Sequence, residues 1–244
     1  MAQYEKHRPL VRLCTLFYLL FASVTQADCR QALAIGLDVS GSVDGREYRL
    51  QLDGLAAALQ NPEVRAALLA MPSAPVTLAV YEWSGPEDQN LIAGWTVIDS
   101  QRILDQFTAR LFATKRTKTA PSTAIGSSMV YGAALLLQQS TCWRRTLDLS
   151  GDGLSNSGPR PRDVKAGPLI GQITINALVI GTVDAKTTRP QTSPLADYYE
   201  SEVISGPASF AEEAVDFDKF QATMVRKLLR ELQGLTVSQL HPAN

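Results

Sequence analysis

Histidine is scarce in this chain, and its scarcity limits the chemistry that the protein could perform. The two histidines are His7 and His241, one near each end of the sequence. A serine triad needs a histidine as its general base, and cysteine nucleophiles are commonly activated by one. No Gly-x-Ser-x-Gly elbow occurs either. The sequence therefore disfavours the common serine and cysteine hydrolase mechanisms.

An excess of charge of either sign is also lacking. The 244 residues carry 23 Lys and Arg against 24 Asp and Glu, a formal net charge of −1. This balance gives no basic footprint for nucleic acid, and no Gly-x-Gly-x-x-Gly follows a predicted strand, as a dinucleotide site would require. Hydrophobic residues make up 45% and charged residues 19% of the chain, as in a globular protein with a sizeable core.

A long apolar run lies near the start of the sequence. Basic residues accompany the apolar segment 10–24, and small residues stand at the two positions before Asp28 that a signal peptidase reads. This pattern predicts a secretory signal peptide over residues 1–27, cleaved after Ala27. The alternative is an uncleaved membrane anchor, for which the apolar run is short. We therefore expect a periplasmic or secreted protein, attached to a membrane only if this segment is retained.

Cysteine is rare, and two of the three cysteines fall in the predicted mature chain. Cys14 lies in the signal segment, whereas Cys29 and Cys142 each lie just before a predicted strand. An export route permits disulfides, and the amino ends of parallel strands meet at one edge of a sheet. We expect a Cys29–Cys142 disulfide at that edge, with two unpaired thiols as the alternative.

Apolar runs alternate with amphipathic segments along the remaining chain. Residues 76–83 and 91–97 are joined by a short turn and predict an antiparallel hairpin. The alternation predicts an α/β fold: a doubly wound, mostly parallel sheet with one antiparallel edge strand and helices on both faces. We expect one domain over residues 28–235 and a disordered tail over residues 236–244. The other predicted strands are 33–38, 144–150, 173–180 and 201–205, and the main predicted helices are 48–59, 100–110, 125–137, 162–169 and 210–235.

Oxygen-bearing side chains stand at the ends of three predicted elements. Asp38, Ser40 and Ser42 follow the first strand, Thr123 precedes a helix, and Asp152 follows a later strand. Ligands of open α/β sheets bind at the carboxyl ends of the strands. Five oxygen donors without nitrogen or sulfur suit Mg²⁺, or Mn²⁺ or Ca²⁺, rather than a structural zinc. The alternatives are local: helix caps, turn hydroxyls and a plain Asp-Gly turn.

This arrangement resembles the metal-ion-dependent adhesion site of von Willebrand factor A domains. The resemblance rests on Asp-x-Ser-x-Ser at residues 38–42, on Thr123, and on Asp152 followed by Gly153. In detail the chain is similar to an exported bacterial subfamily of unknown function, for example in Glu-Trp-Ser-Gly at residues 82–85. The resemblance implies a divalent cation that captures an Asp or Glu side chain of a partner protein.

Charged residues outside this set have local interpretations. Residues 115–118 carry three basic groups, which form either a solvated loop or a basic rim beside a site for an anionic partner. Asp44 precedes a helix and is expected to cap it. Asp148 lies within a strand, where we expect it to pair with Arg144, Arg145 or a backbone donor rather than with the metal.

The function that these observations favour is binding rather than catalysis. A metal-dependent phosphatase could use Asp38 as its nucleophile, but it would normally have a second acid two residues later, where Ser40 stands. A binding module needs no general base. We therefore expect an exported, non-enzymatic module that binds an acidic partner through a cation. A hydrolase or phosphatase using Asp38 and a purely structural exported domain are the alternatives.

Overall fold

The computed structural model describes residues 29–181 and 193–237, together with Met1. These residues form one six-stranded sheet with the strand order β3-β2-β1-β4-β5-β6. β2 and β3 are antiparallel, and every other neighbouring pair is parallel. The predicted hairpin therefore supplies the antiparallel edge strand. The strands are β1 Cys29–Asp38, β2 Val76–Trp83, β3 Gln89–Ile98, β4 Cys142–Gly151, β5 Thr174–Ile180 and β6 Ala211–Ala214.

β1 lies at the centre of the sheet and is covered on both faces. Its side chains alternate between two apolar layers, with Leu33, Ile35 and Leu37 in one and Ala32 and Ala34 in the other. A parallel strand that is buried on both faces is expected to be apolar almost throughout. This burial fixes the carboxyl end of β1, where the predicted metal loop begins.

Helices cover both faces of the sheet, as predicted for a doubly wound fold. Helices α1, α2, α3 and α7 pack on one face, whereas α4 and the turn after α6 pack on the other. The helices are α1 Gly45–Gln60, α2 Pro62–Leu69, α3 Gln101–Ala113, α4 Ile125–Leu137, α5 Pro161–Lys165, α6 Pro194–Tyr198 and α7 Phe220–Val237. A π-helical turn, Tyr199–Val203, continues α6, and a 3₁₀ turn, Phe217–Lys219, precedes α7.

The last strand is not where the sequence predicted it. Residues 201–205 fall in the π-helical turn and a single bridge from Ser205 to Ile175, whereas β6 lies inside the predicted helix 210–235. β6 has the sequence Ala-Glu-Glu-Ala, which favours helix, but pairing with β5 overrides this preference. The helix predicted over residues 162–169 ends at Lys165, because Gly and Pro at positions 167 and 168 stop it.

A buried ion cluster joins β4 to α7. Lys227 Nζ lies 2.6 Å from Asp148 Oδ1 and 2.7 Å from Glu231 Oε1, and all three side chains are inaccessible to solvent or nearly so. The expected pairing of Asp148 with Arg144 or Arg145 is therefore wrong. Arg145 points to the opposite face of the strand, and Arg144 lies about 13 Å further along it. The true partner comes from a distant helix that no local pattern indicates.

The structure joins Cys29 and Cys142 by a disulfide. The two residues face each other in the parallel register of β1 and β4. The bond therefore clamps the central strands at their amino ends, at the edge of the sheet opposite the predicted metal loops.

Two predictions concern residues that are largely outside the described part of the chain. The predicted signal segment, residues 1–27, is not described apart from Met1, and of the predicted tail, residues 236–244, only the first two residues are described, at the end of α7. Within the described ranges, no helix is both long enough and apolar enough to span a bilayer.

Candidate metal centre

Three loops bring the five predicted oxygen ligands to one edge of the sheet. Asp38 is the last residue of β1, and Asp152 follows β4, its parallel neighbour, so both lie at the same edge. The loop that carries Thr123 is held beside the end of β2, because Ala124 N donates to Ser84 O at 2.7 Å. The five residues come from three separate parts of the sequence and meet at the carboxyl ends of adjacent strands.

Asp38 is fully buried, which is costly for a carboxylate. Its Oδ1 accepts a 2.8 Å hydrogen bond from Ser40 N, whereas Oδ2 has no hydrogen-bond partner among the described residues. Burial raises the pKa of Asp38 to about 7; hydrogen bonds from Ser40 and from the backbone of Asp152 oppose this increase, and the negative charge of Asp152 adds to it. A buried carboxylate oxygen without a donor is an atom that a bound cation would satisfy.

Hydroxyl groups link Asp38 to Asp152 across the edge of the sheet. Ser40 Oγ lies 3.3 Å from Ser42 Oγ, and Ser42 Oγ donates to Asp152 Oδ1 at 2.7 Å. Ser40 is fully buried, whereas Ser42 is exposed. The chain of oxygens therefore runs from the interior to the surface and contains an accessible end.

Thr123 lies against the loop that carries Asp152. Thr123 N donates to Asn156 Oδ1, and Asn156 N donates to Thr123 O, each at 2.9 Å. A Cβ placed on Gly153 would lie 3.9 Å from Thr123 Oγ1. This reciprocal pair of hydrogen bonds holds the second and third loops together. No local sequence pattern distinguishes Asn156 from any other polar loop residue, so its role was not predicted.

Tyr199 lies behind the metal loops, and no local sequence pattern indicated its position there. It is fully buried, and its hydroxyl donates to Gly153 O at 3.3 Å. Burial raises the pKa of Tyr199 well above its ordinary value, and the charges of Asp38 and Asp152 add to this effect. The side chain therefore stays neutral. It comes from the turn after α6, far along the sequence from the three loops.

Further side chains support the first loop. Gln51, on α1, donates from Nε2 to Asp38 O at 2.8 Å, and Ser150 Oγ donates to Gln51 Oε1 at 3.1 Å. Asp44 caps α1, accepting from Arg46 N and Glu47 N, as the sequence predicts. The helix after the first loop therefore starts at a defined residue, and Asp38 does not serve as its cap.

The geometry also bears on the local roles considered for Thr123, as a helix cap, and for Asp152, as part of a plain turn. The residue at the N-cap position of α4 is Ala124, and no side-chain hydrogen bond caps this helix. Thr123 therefore does not cap α4. Asp152 accepts a hydrogen bond from Ser42, in the first loop, so it contacts more than its own turn.

The basic residues 115–118 lie beside the first loop. Arg116 donates to Val39 O at 3.1 Å, and its guanidinium lies 5.6 Å from the centre of the Tyr48 ring. A small open cavity of about 230 Å³ separates this segment from Ser40 and Gly41. Residues 115–118 are exposed, as in a solvated loop, and the hydrogen bond of Arg116 also places this basic segment at the rim of the first loop.

The donor set fits a hard divalent cation. Two carboxylates and three hydroxyls supply oxygen only, and Mg²⁺ takes about six oxygen ligands and usually keeps some waters. In the described part of the chain, no three His, Cys, Asp or Glu side chains form a group that could hold a metal ion, so this centre would need its hydroxyls as ligands beside the two carboxylates. Asp38, Ser40, Ser42, Thr123 and Asp152 are therefore the residues that would hold such an ion.

Residues 28–236 match the protein family described as Protein of unknown function (DUF1194). The chain belongs to this family. No curated protein matches the sequence.

Solved structures show that this chain has the fold of von Willebrand factor A domains. Proximal thread matrix protein 1 from the mussel byssus aligns with a TM-score of 0.60 and 13% identity, covering 85% of this chain and 49% of its own. A von Willebrand factor type A protein from Catenulispora acidiphila aligns with a TM-score of 0.54 and 14% identity, covering 84% and 43%. The pilus adhesin SpaC from Lactobacillus rhamnosus GG aligns with a TM-score of 0.56 and 12% identity, covering 86% of this chain and 31% of its own.

These similarities establish the fold of the DUF1194 chain. It spans about half the length of the mussel protein and less of the other two. One structure of the mussel protein is described as having a zinc-occupied MIDAS motif. It aligns with a TM-score of 0.58 and 14% identity, covering 86% of this chain and 47% of its own. The fold is that of von Willebrand factor A domains, and at least one protein with this fold binds a divalent metal.

Proposed function

We propose that this protein is an exported, non-enzymatic binding module that holds a divalent cation at Asp38, Ser40, Ser42, Thr123 and Asp152. The observation that carries the proposal is the buried Asp38 Oδ2, which lacks a hydrogen-bond donor within the described residues. It belongs to a connected set of oxygens that ends at the exposed Ser42. Mg²⁺ is the cation that this oxygen-only set suits best, with Mn²⁺ or Ca²⁺ as substitutes.

The partner that fits this centre is a protein that presents an Asp or Glu side chain. A bound cation would supply an electrophilic centre with room for one further oxygen ligand. Two carboxylates offset a charge of 2+, and the three hydroxyls are neutral, so a third carboxylate remains attractive. Because Asp38 and Ser40 are buried and Ser42 is exposed, a partner would approach from the side of Ser42 and Asp152.

Basic residues beside the first loop support an acidic partner. Arg116 is anchored to Val39 O, and Lys118 is an exposed residue next to it that also lines the small cavity. Positive charge at the rim of a site accelerates association with an acidic surface and weakens as salt is added. We therefore expect binding of the partner to depend on ionic strength as well as on the metal.

The phosphatase alternative requires Asp38 to act as a nucleophile. Asp38 is fully buried, and its Oδ1 is occupied by the backbone of Ser40. The residue two positions later, where a second acid would assist, is a serine. The described residues include no histidine to act as a base. These observations support binding over catalysis. The other alternative, a purely structural role, would require that no metal binds.

Calorimetric titration of the purified protein with MgCl₂ and MnCl₂ tests the proposal. We expect metal binding by the wild-type protein and its loss in Asp38→Asn, which keeps the size of the side chain but removes its charge. Asp44→Asn is the matched control, because asparagine also caps helices and Asp44 lies outside the ligand set.

Two outcomes would contradict the proposal. Equal metal binding by wild type and Asp38→Asn would place the metal elsewhere, and no binding by either would favour the structural alternative. Metal-dependent hydrolysis of p-nitrophenyl phosphate that is lost in Asp38→Asn would instead support the enzymatic alternative.

A further inference from the structure

A second open cavity lies at the amino ends of β4 and β5, away from the metal loops. Its volume is about 730 Å³, and its walls are the first residues of these strands, the loop 207–210 and α7. Small-molecule sites commonly measure about 300–1,000 Å³. The cavity therefore has the size of a ligand site and is separate from the proposed metal centre.

Three arginines line this amino-end cavity. Arg144 is partly buried and has no hydrogen-bond or ion-pair partner within the described residues. Arg145 donates to Gln172 Oε1 at 3.1 Å, so it is held by a neutral group. The guanidinium of Arg230 lies 3.7 Å from the centre of the Phe210 ring and makes a longer contact, 3.4 Å, with Glu212. Arg144 thus lines the cavity without a neutralising acid, and Arg145, which points to the other face of β4, contributes positive charge at its edge.

Among the described residues that line the cavity, the one acid is Glu231, which shares the charge of Lys227 with Asp148. Glu231 Oε1 lies 2.7 Å from Lys227 Nζ and accepts a 2.7 Å hydrogen bond from Asn176 Nδ2. Asn176 Oδ1 in turn accepts from Phe210 N at 3.1 Å. Asn176 and Glu231 are both only 2% exposed. The floor of the cavity is therefore a rigid hydrogen-bonded layer, and the lining carries a net positive charge.

The walls also present aromatic surface and a constrained loop. Trp143 is 47% exposed at the mouth of the cavity, and the Phe210 ring packs under Arg230. Ala208, in the loop that forms one wall, has φ of 56°, and is the one non-glycine residue with positive φ in the described ranges. Such a conformation costs of order 1 kcal/mol and often marks a functional loop.

We propose that this cavity binds a small organic anion, a carboxylate or phosphate attached to an apolar or aromatic group. Guanidinium groups bind carboxylate and phosphate oxygens in bidentate fashion, which accounts for the anionic group. Trp143, which is 47% exposed, provides the surface for the apolar group. The volume of about 730 Å³ lies in the range of small-molecule sites, which favours a small molecule over a peptide.

Binding of phenyl phosphate to the purified protein, followed by calorimetry with EDTA present, tests this inference. We expect phenyl phosphate to bind more tightly than inorganic phosphate, and Arg144→Gln and Arg230→Gln each to weaken its binding by about tenfold. Arg102→Gln, an exposed arginine on α3, is the matched control and should bind as the wild type does. Circular dichroism would show that the variants remain folded.

Several outcomes would overturn the inference. These are no binding of phenyl phosphate in the millimolar range, equal binding of inorganic phosphate, or unchanged affinity in both arginine variants. Asp38→Asn should bind phenyl phosphate as the wild type does, so a failed metal centre and a failed anion cavity are distinguishable.

Discussion

Gly151 shows at the residue scale how closely the candidate metal centre is packed. A Cβ at this position would lie 2.3 Å from the Tyr199 hydroxyl and 3.2 Å from Asp38 Oδ2. The first distance is far below any normal contact, and both neighbours are fully buried. Glycine is therefore required here by the close approach of two side chains.

Gly151→Ala is expected to destabilise the protein by about 1–3 kcal/mol, the usual cost of overpacking a core. Urea unfolding monitored by circular dichroism measures this change. Gly45→Ala is the matched control, because nothing lies within 4 Å of a Cβ at Gly45 and alanine favours the helix. Adding Tyr199→Phe to Gly151→Ala should recover part of the loss. A Gly151→Ala protein as stable as the wild type would show that Tyr199 does not occupy this position.

The charge of Asp38 gives a second prediction at this scale, for stability rather than for metal affinity. Without metal, Asp38→Asn should be as stable as the wild type or more so, because a desolvated charge is removed and Oδ1 still accepts from Ser40 N. With Mg²⁺ at 100 times its Kd, the wild type should gain about 2.7 kcal/mol and the variant nothing. Thermal unfolding with EDTA or with MgCl₂ measures both. Equal gains in the two proteins would exclude Asp38 as a ligand.

At the scale of elements, the contact between β4 and α7 depends on Lys227. This lysine lies between Asp148 and Glu231, and none of the three side chains is appreciably exposed. Removing the cation leaves two carboxylates near each other in the interior. Breaking a buried ion pair in this way typically costs about 3–5 kcal/mol.

Lys227→Met should therefore destabilise the protein by about 3–5 kcal/mol, measured by urea unfolding. Arg226→Gln, one residue earlier on the exposed face of α7, should change the free energy of unfolding by less than about 0.5 kcal/mol. A similar small change in Lys227→Met would mean that water reaches the cluster.

The same cluster predicts that the free energy of unfolding depends on pH. Burial raises the pKa of Asp148 to about 7, against the opposing charge of Lys227. The folded state therefore holds a proton on Asp148 that the unfolded state releases near pH 4. The contribution of this proton to the free energy of unfolding is complete below about pH 4 and is lost as the pH rises through 7.

Asp148→Asn should remove this loss. Between pH 5 and 8 in EDTA, the free energy of unfolding should fall on the order of 2 kcal/mol more in the wild type than in the variant. Denaturant unfolding at several pH values measures the difference, in which the titration of groups outside this cluster cancels. Parallel pH profiles would show that Asp148 titrates normally.

The sequence predicted elements whose signal is local and missed those that depend on distant contacts. The buried strands, the hairpin and the three oxygen-bearing loops follow from apolar runs, turn residues and strand ends. The segment Ala211–Ala214 has helix-forming residues and becomes a strand only because β5 accepts it at the edge of the sheet. Asn156, Tyr199 and Lys227 likewise act through partners far along the chain, which a single sequence does not indicate.

At the scale of the whole molecule, the two ends of the sheet carry different features. The carboxyl ends carry the candidate metal centre, whereas the amino ends carry the disulfide and the arginine-lined cavity. The central strands β1 and β4 connect both ends and are buried throughout most of their length. Since the strands are stiff, the disulfide should support the fold as a whole without adjusting the metal loops.

Replacing both Cys29 and Cys142 with serine tests this separation. The disulfide closes a sequence separation of 113 residues, and loss of such a cross-link is expected to cost about 2–5 kcal/mol, largely through the greater freedom of the unfolded chain. Mg²⁺ affinity, measured by calorimetry below the unfolding temperature, should stay within about twofold of the wild-type value, because the ligands lie at the opposite ends of the strands. The single variant Ser73→Ala, at an exposed position in the loop before β2, controls for a change in one small side chain. A large loss of metal affinity in a still-folded double variant would show that the amino ends of β1 and β4 set the geometry of the metal loops.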